Sequence, residues 1–275
     1  MIREVNQYLN EVNRGNYKLK IEENGEDEIS RLRNELYKTT ILLRETAENS
    51  EKEKVSLSNS LADISHQIKT PITSMRIMLD NIEDNPNMDS KTRVEFIKEI
   101  SKQVDWISSL VVSLLKLGKF DAGAIVMKNE EINVRNLIDK AVSNLAIILD
   151  VKNIKIISNI DEAATINADY NWQLEAITNI IKNAVEHSSD NSNIYINVEN
   201  TSVFVKIQIK DEGEGIGKKD INHIFERFYK SKNSSENSIG IGLSLAKTII
   251  EKANGYIKVE SEDGKGTMFE IKYLK

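Results

Sequence analysis

Cysteine is absent from the 275 residues, which excludes disulfides and thiolate metal sites and is compatible with a reducing compartment. There are three histidines, too few for a histidine-rich metal centre. The two prolines are Pro71 and Pro86, so the first part of the chain carries almost no helix breaker and is open to long helices. No apolar run reaches the ~18 residues of a membrane span. Residues 110–117 are too short and contain Lys116, and no signal-peptide pattern is present. With 37 basic against 43 acidic residues and a net charge of -6, no excess of positive charge gathers nucleic acid, and no nucleic-acid partner is expected. The length allows two compact domains, or one domain plus extended helices.

The most informative residue is His66. Apolar residues at Leu57, Leu61, Ile64, Ile68, Ile72, Met75, Leu79 and Ile82 recur in steps of three and four, the stripe of a helix. At about 100° per residue His66 falls opposite the Ile64/Ile68 stripe and faces solvent, where packing does not call for it. Pro71 removes a backbone donor and crowds the Gln67 carbonyl, so a bend is expected just beyond His66. An exposed imidazole on a locally bent helix is well placed to act as a nucleophile. This helix should end near Asp84, and Asp89 or Ser90 caps a second one whose stripe is Val94, Ile97, Ile100, Val104, Ile107, Val111 and Leu114. Each helix of such a hairpin buries a single seam, and isolated pairs are marginal in water, so a homodimeric four-helix bundle is expected.

Upstream, Val5, Leu9 and Val12 share one face. Tyr17, Leu19 and Ile21 alternate with lysines, and Ile29, Leu32, Leu36 and Leu43 resume a near-heptad pattern after a turn at Asn24 and Gly25. With Glu26, Asp27 and Glu28 at the junction, this segment resembles the tail of a HAMP linker, the paired-helix relay that follows a membrane span in many receptors. A plain coiled coil is the alternative. Residues 1–54 are read as HAMP-like linker and signalling helix, 55–120 as the helical hairpin, and 125–275 as a second domain. A hinge is expected at 116–124, which contains Gly118 and Gly123.

From Met127 onward short alternating strands mix with helices. Val203, Val205, Ile207 and Ile209 alternate with Phe204, Lys206, Gln208 and Lys210, and helices are predicted over 136–149, 171–187 and 242–253. The expected fold is an α+β two-layer sandwich. On the 171–187 helix, Asn179 and Asn183 point the same way as Glu175, Lys182 and Glu186, opposite an apolar face. An asparagine oxygen suits magnesium, and a merely solvated face fits as well. Residues 211–217 read DEGEGIG directly off a strand. Asp211 then lies at the strand end, and Gly213, Gly215 and Gly217 lie where backbone turns tightly or approaches a ligand closely. Residues 238–245, SIGIGLSL, open a helix whose unpaired amides and positive dipole end suit a triphosphate. The spacing is neither a dinucleotide fingerprint nor a P-loop.

Taken in order, these motifs resemble the sensor histidine kinases of two-component systems. Residues 65–72 match the family's H-box, 179–187 its N-box, 211–217 its first glycine box, 224–230 its F-box, 238–245 its second glycine box and 264–269 its closing strand motif. The resemblance implies that His66 accepts a phosphoryl group from ATP and passes it to an aspartate on a response regulator receiver domain. The regulator would dock near Thr70, Thr73 and Met75, with Thr70 orienting water in a reverse phosphatase reaction. It implies that Asn183 holds Mg2+, that Asn179 supports the phosphates, and that Asp211 accepts a hydrogen bond from the adenine amino group. Glu186, His187, Phe228, Tyr229, Lys230, Ser238, Gly240, Gly242, Leu243 and Thr267 would complete the ATP site, with 229–237 as a mobile lid. It further implies a cytoplasmic chain attached to a membrane through a sensor segment preceding Met1.

Three positions depart from the family pattern. Gln67 replaces the carboxylate that usually follows the histidine, and an amide is no ordinary general base. Proton removal would then rely on the neutral imidazole present near pH 7. Glu186 stands where many members have a phosphate-contacting lysine, which requires compensation from Lys182, Lys230 or Lys232. Ser238 replaces the first glycine of the second glycine box. Two other readings follow: a phosphatase-dominant or scaffold member with weak kinase activity, and another ATPase of the same nucleotide-binding fold.

Overall fold

The computed structural model describes Val12 and residues 28–230 and 238–275. The HAMP-like reading of residues 1–27 and most of the lid, 231–237, fall outside the described residues. Contacts divide the chain into two units, residues 1–66 and 67–275. Among the described residues no helix is long and apolar enough to cross a membrane.

The first described element is helix α1 (Glu28–Asp84), 57 residues with Pro71 inside it. Its portion within the first unit is largely exposed and carries ion pairs at helical spacing, Lys38 with Glu35 and Arg44 with Glu48. Such exposed pairs contribute little stability, and the apolar side chains Leu32, Leu42 and Leu43 are exposed as well.

In the second unit, α1 continues without interruption through a buried Pro71. Helix α2 (Ser90–Asp121) follows after a short turn, capped by Asp89, whose carboxylate accepts from the amides of Lys91 and Thr92 at 3.0 and 2.9 Å. Leu79, Ile97 and Val104 from the predicted stripes stay about half exposed at 50%, 50% and 53%.

Next come β1 (Glu130–Asn133), α3 (Val134–Asn144), α4 (Ala146–Lys152), β2 (Lys155–Ile160), β3 (Thr165–Ala168), α5 (Tyr170–His187), β4 (Asn193–Asn200), β5 (Phe204–Asp211), α6 (Gly242–Lys252), β6 (Gly255–Ser261) and β7 (Thr267–Leu274). Strands β1 and β3 pair antiparallel, and the main sheet has the order β2-β4-β5-β7-β6, with β2 and β4 parallel and the other neighbours antiparallel. Helix α5 packs with α3, α6 and β5. The helical region followed by a helix-on-sheet domain is the predicted architecture.

The period of two along the strands fixes which side chains meet the helices. Val205, Ile207 and Ile209 on β5 and Phe269, Ile271 and Tyr273 on β7 are buried. By the same alternation, Asp211 and Thr267 at the ends of these strands also turn inward, a carboxylate and a hydroxyl at the edge of an apolar core. On the opposite face, Gln208 donates to Glu270 at 3.0 Å.

Two expectations need correction. The predicted 136–149 helix is two helices. Leu145 leaves helical geometry (φ -107, ψ 7), and its amide donates to the Val142 carbonyl at 2.9 Å, which tightens the turn and buries the leucine. The expected hinge at 116–124 is helical as far as Asp121, because Leu117 and Phe120 are buried in the core of the second domain, where Phe120 meets Trp172 edge-on at 4.6 Å. Lys116 pairs with Glu175 at 2.8 Å and Asp121 receives both terminal nitrogens of Arg227 at 2.7 Å. Of the two glycines, Gly123 alone adopts a positive φ.

Candidate functional site

His66 is exposed on α1 in the first unit. Gln67 opens the second unit and is half-buried. Its Oε1 accepts from Lys230 Nζ at 3.5 Å, the outer limit of a hydrogen bond. The Lys230 ammonium also lies 5.8 Å from the Trp106 ring centroid, and burial holds it below the usual lysine range.

Within the second unit, the α5 face, the two glycine segments and the F-box segment enclose a cavity of about 560 Å³. Periodicity explains α5: Ala176, Ile177, Ile180, Ile181 and Ala184 are buried, which leaves Asn179, Lys182, Asn183 and Glu186 toward the cavity. Asn179 Nδ2 is buried with no partner among the described residues. Lys182 Nζ sits 3.5 Å from Glu186, so the acidic departure carries its own counter-charge one turn away. His187 Nδ1 meets a Glu214 carboxylate oxygen at 3.1 Å.

Asp211 lies behind this cavity, beside Thr267, and is 1% exposed. Its Oδ1 accepts from the amides of Gly213 at 2.9 Å and Thr267 at 3.1 Å. Its Oδ2 is buried with no partner among the described residues. Burial raises its pKa above the usual carboxylate range, against the pull of those two amides. A buried acceptor left half-satisfied is a costly arrangement that a ligand donor would relieve. Gly213 is required because a side-chain carbon there would run into the His187 carbonyl. Gly215, at φ +74, would meet the Glu262 carbonyl.

Helix α6 has no side-chain cap at Ile241. The first amides of Gly242 and Leu243 therefore end at the cavity as donors at a positive dipole end. Gly242 lies against Asn179, where an added carbon would be 3.5 Å from its Oδ1. Phe228 takes a positive φ of 65° and its amide donates to the Gly240 carbonyl at 2.8 Å, which ties the F-box to the second glycine box. Tyr229 donates to Asp220 at 2.6 Å.

Of the predicted residues, Asn179, Asn183, Glu186, His187, Gly215 and Gly217 line the cavity, as do Tyr229, Ser238, Gly240, Gly242, Leu243 and Thr267. Asp211, Gly213, Phe228 and Lys230 stand outside the lining. Sequence reading overlooked Ser113, Lys218, Lys219 and Asp220, which also line it. Two lysines directly after a glycine loop were a usable signal for anion binding, whereas Ser113 on α2 arrives through tertiary packing alone. Among the described residues no cluster of three or more His, Asp or Glu could hold a metal. Beside the lysines and hydroxyl groups of the lining, Asn179, Asn183 and Glu186 offer amide and carboxylate oxygens, a donor type that suits a magnesium ion sharing its ligands with phosphates and water.

The family model described as His Kinase A (phospho-acceptor) domain matches residues 56–123, and the one described as Histidine kinase-, DNA gyrase B-, and HSP90-like ATPase matches residues 168–275. The chain belongs to the sensor histidine kinases of two-component systems. The histidine kinases similar to it include the heme sensor protein HssS of Staphylococcus haemolyticus, 31% identical over 211 residues, 76% of this chain and 45% of the relative. The sensor histidine kinase YclK of Bacillus subtilis is 26% identical over 98% of this chain and 58% of its own length. The chain thus spans about half the length of these two curated relatives. Among solved structures, the histidine kinase ThkA in complex with the response regulator protein TrrA superposes with a TM-score of 0.68 at 22% identity, over 84% of this chain and 66% of that one. The Acinetobacter baumannii histidine kinase AdeS gives 0.63 at 23% identity, over 76% and 97%. These two likenesses are of fold.

Proposed function

We propose that the chain binds Mg-ATP in the α5–α6 cavity and transfers the γ-phosphoryl group to His66. The bond from the γ-phosphorus to the β,γ-bridging oxygen breaks, a phosphorus–nitrogen bond forms on the imidazole, the ring loses a proton, and ADP leaves. Asp211 accepts from the adenine amino group, and Asn179 and the α6 amides hold phosphate oxygens. Asn183 holds Mg2+, which when bound neutralises phosphate charge. Catalysis of this kind rests on positioning and charge neutralisation. The phosphoryl group then passes to an aspartate of a response regulator docked near Thr70, as the ThkA–TrrA pairing supports. A second copy of the chain covers the half-exposed stripe of Leu79, Ile97 and Val104 in a four-helix bundle. The HAMP-like beginning supports a cytoplasmic position below a membrane sensor.

The observation that carries this reading is the presence in one chain of a phosphoacceptor-type helix with an exposed histidine and an ATPase-type domain whose buried Asp211 lacks a partner on Oδ2. Incubation with ATP labelled at the γ-position should give an acid-labile, base-stable product, and ATP labelled at the α-position should give none. Absence of acid-labile label under conditions where ADP binds would favour the phosphatase-dominant reading.

Gln67 motivates that second reading and a sharper expectation. With an amide beside the histidine, no carboxylate stands next to the ring to take its proton. Gln67→Glu should raise the rate by a factor within the ~10² to 10⁴ of general base catalysis. Lys230 will compete for the introduced carboxylate, since it already reaches Gln67 at 3.5 Å, so Lys230→Met in the same background should increase the gain. No gain in Gln67→Glu would assign the proton to another group, and Glu186 would be tested next.

A further inference from the structure

Lys152, the last residue of α4, lies outside the cavity yet uses its ammonium group on the helix that forms one wall. Its Nζ donates to three main-chain carbonyls at the end of α5: Val185 at 2.8 Å, Glu186 at 3.0 Å and Ser188 at 3.0 Å. A helix C-terminus leaves its last carbonyls without intrahelical partners and concentrates negative partial charge there. An ammonium has three donors and a full positive charge, so one side chain answers both needs. The adjoining Ala184 carbonyl is taken by the amide and hydroxyl of Ser188 at 3.1 and 2.7 Å. The His187 carbonyl lies where a side chain on Gly213 would fall.

The backbone around Lys152 is fixed as well. Its carbonyl accepts from the Asn191 amide at 2.9 Å, and Asn153, in a left-handed conformation at φ 50, donates from its side chain to Asn191 Oδ1 at 2.7 Å. The ammonium is therefore anchored from behind and pulls on the turn that follows α5. The last turn of α5 carries Glu186 and His187, and Asn183 stands just before it; all three line the cavity. Through His187 it also abuts the loop that begins at Asp211.

We propose that Lys152 is a positioning residue for the nucleotide: its three-carbonyl cap sets the spacing between the Asn183 side of the cavity and the Asp211–Gly213 turn. This deepens the reading of the cavity as an ATP site and rests on it. A ligand that must touch both sides depends on that spacing, while a ligand that touches the Asp211 side alone does not. Arginine cannot replace lysine fully, because a planar guanidinium fork reaches at most two of three carbonyls that converge on one point.

The test compares ADP with adenosine on the full chain, using calorimetry for ADP and displacement of a fluorescent ATP analogue for adenosine. Measurements are made well below each variant's Tm, with circular dichroism recorded alongside. Lys152→Met should raise the ADP Kd and the KM for ATP about tenfold, equivalent to ~1.4 kcal/mol. The adenosine Kd should change less than twofold, kcat should fall less than KM rises, and Lys152→Arg should recover part of the loss. A lower Tm with ADP and adenosine affinities both unchanged, or both weakened equally, would show a purely structural cap and overturn the proposal. If Lys152→Met does not fold, Lys152→Arg carries the same comparison, with an expected loss of about threefold for ADP alone. Failure of the unmodified chain to bind ADP would remove the ATP-site reading itself, a result separable from normal binding by the unmodified chain together with an indifferent Lys152 variant.

Discussion

His66→Gln is expected to reduce acid-labile phosphate incorporation to the level of the blank, the largest single-residue effect anticipated for this chain. The substitution removes the only atom assigned to form a bond to phosphorus, so no partial activity is available from better positioning elsewhere. It should leave the fold intact, since His66 is exposed on a continuous helix and glutamine is a good helix former. Far-UV circular dichroism and ADP affinity should match the unmodified chain. The other two histidines serve as controls: His187 is engaged with Glu214 at 3.1 Å and His223 with Glu226 at 2.7 Å. If acid-labile label survives in His66→Gln and is lost in a His187 or His223 variant, the phosphoacceptor assignment is wrong.

The second large effect is expected at Asp211, where affinity and stability should move in opposite directions. Asparagine can still accept from the amides of Gly213 and Thr267. It would, however, place an N–H donor where the unpaired Oδ2 now faces the proposed adenine amino group. Losing a charge-assisted hydrogen bond and opposing two donors should weaken ADP binding by ~10² to 10³-fold, in the range seen when buried polar groups of a site go unpaired.

Stability should change the other way. Burial raises the Asp211 pKa in the folded chain, so its contribution to stability is fully present below the unfolded-state pKa and is lost as pH rises through the folded value. At neutral pH the ionised group is therefore a burden, and Asp211→Asn removes it. The ligand-free variant should melt at or above the Tm of the unmodified chain at pH 7, and that advantage should vanish in acid. Nucleotide binding should also release a proton in the acid window, because the adenine donor favours the carboxylate form. Calorimetry at two pH values reads both effects. ADP binding by Asp211→Asn within threefold of the unmodified chain would sink the assignment.

The helices and strands of the second domain were legible because their signals are local. The buried period on α5 and the alternation on β5 and β7 each follow from a few neighbouring residues. The same alternation, carried one step past Ile209, was enough to turn Asp211 inward. What escaped was tertiary. Nothing in residues 136–149 signals the turn at Leu145, whose inward packing is decided by elements distant in sequence. Gly118 and Gly123 suggested a hinge where the core instead captures Leu117 and Phe120. Lys152 was invisible for the same reason, since its acceptors lie 33 to 36 residues away along the chain.

The capture of the α2 terminus has a mechanical meaning. Leu117 and Phe120 belong to the core of the nucleotide domain, Lys116 is bonded to α5, and Asp121 is gripped by the F-box residue Arg227. Four attachments along about one and a half helical turns leave no slack in the joint. A twist of this end of α2 about its own axis would act as torque on the nucleotide domain rather than dissipate in a flexible strand. The stiff coupling and the exposed phosphoacceptor helix would then divide the labour of a transmission: one part delivers rotation, and the other presents the load.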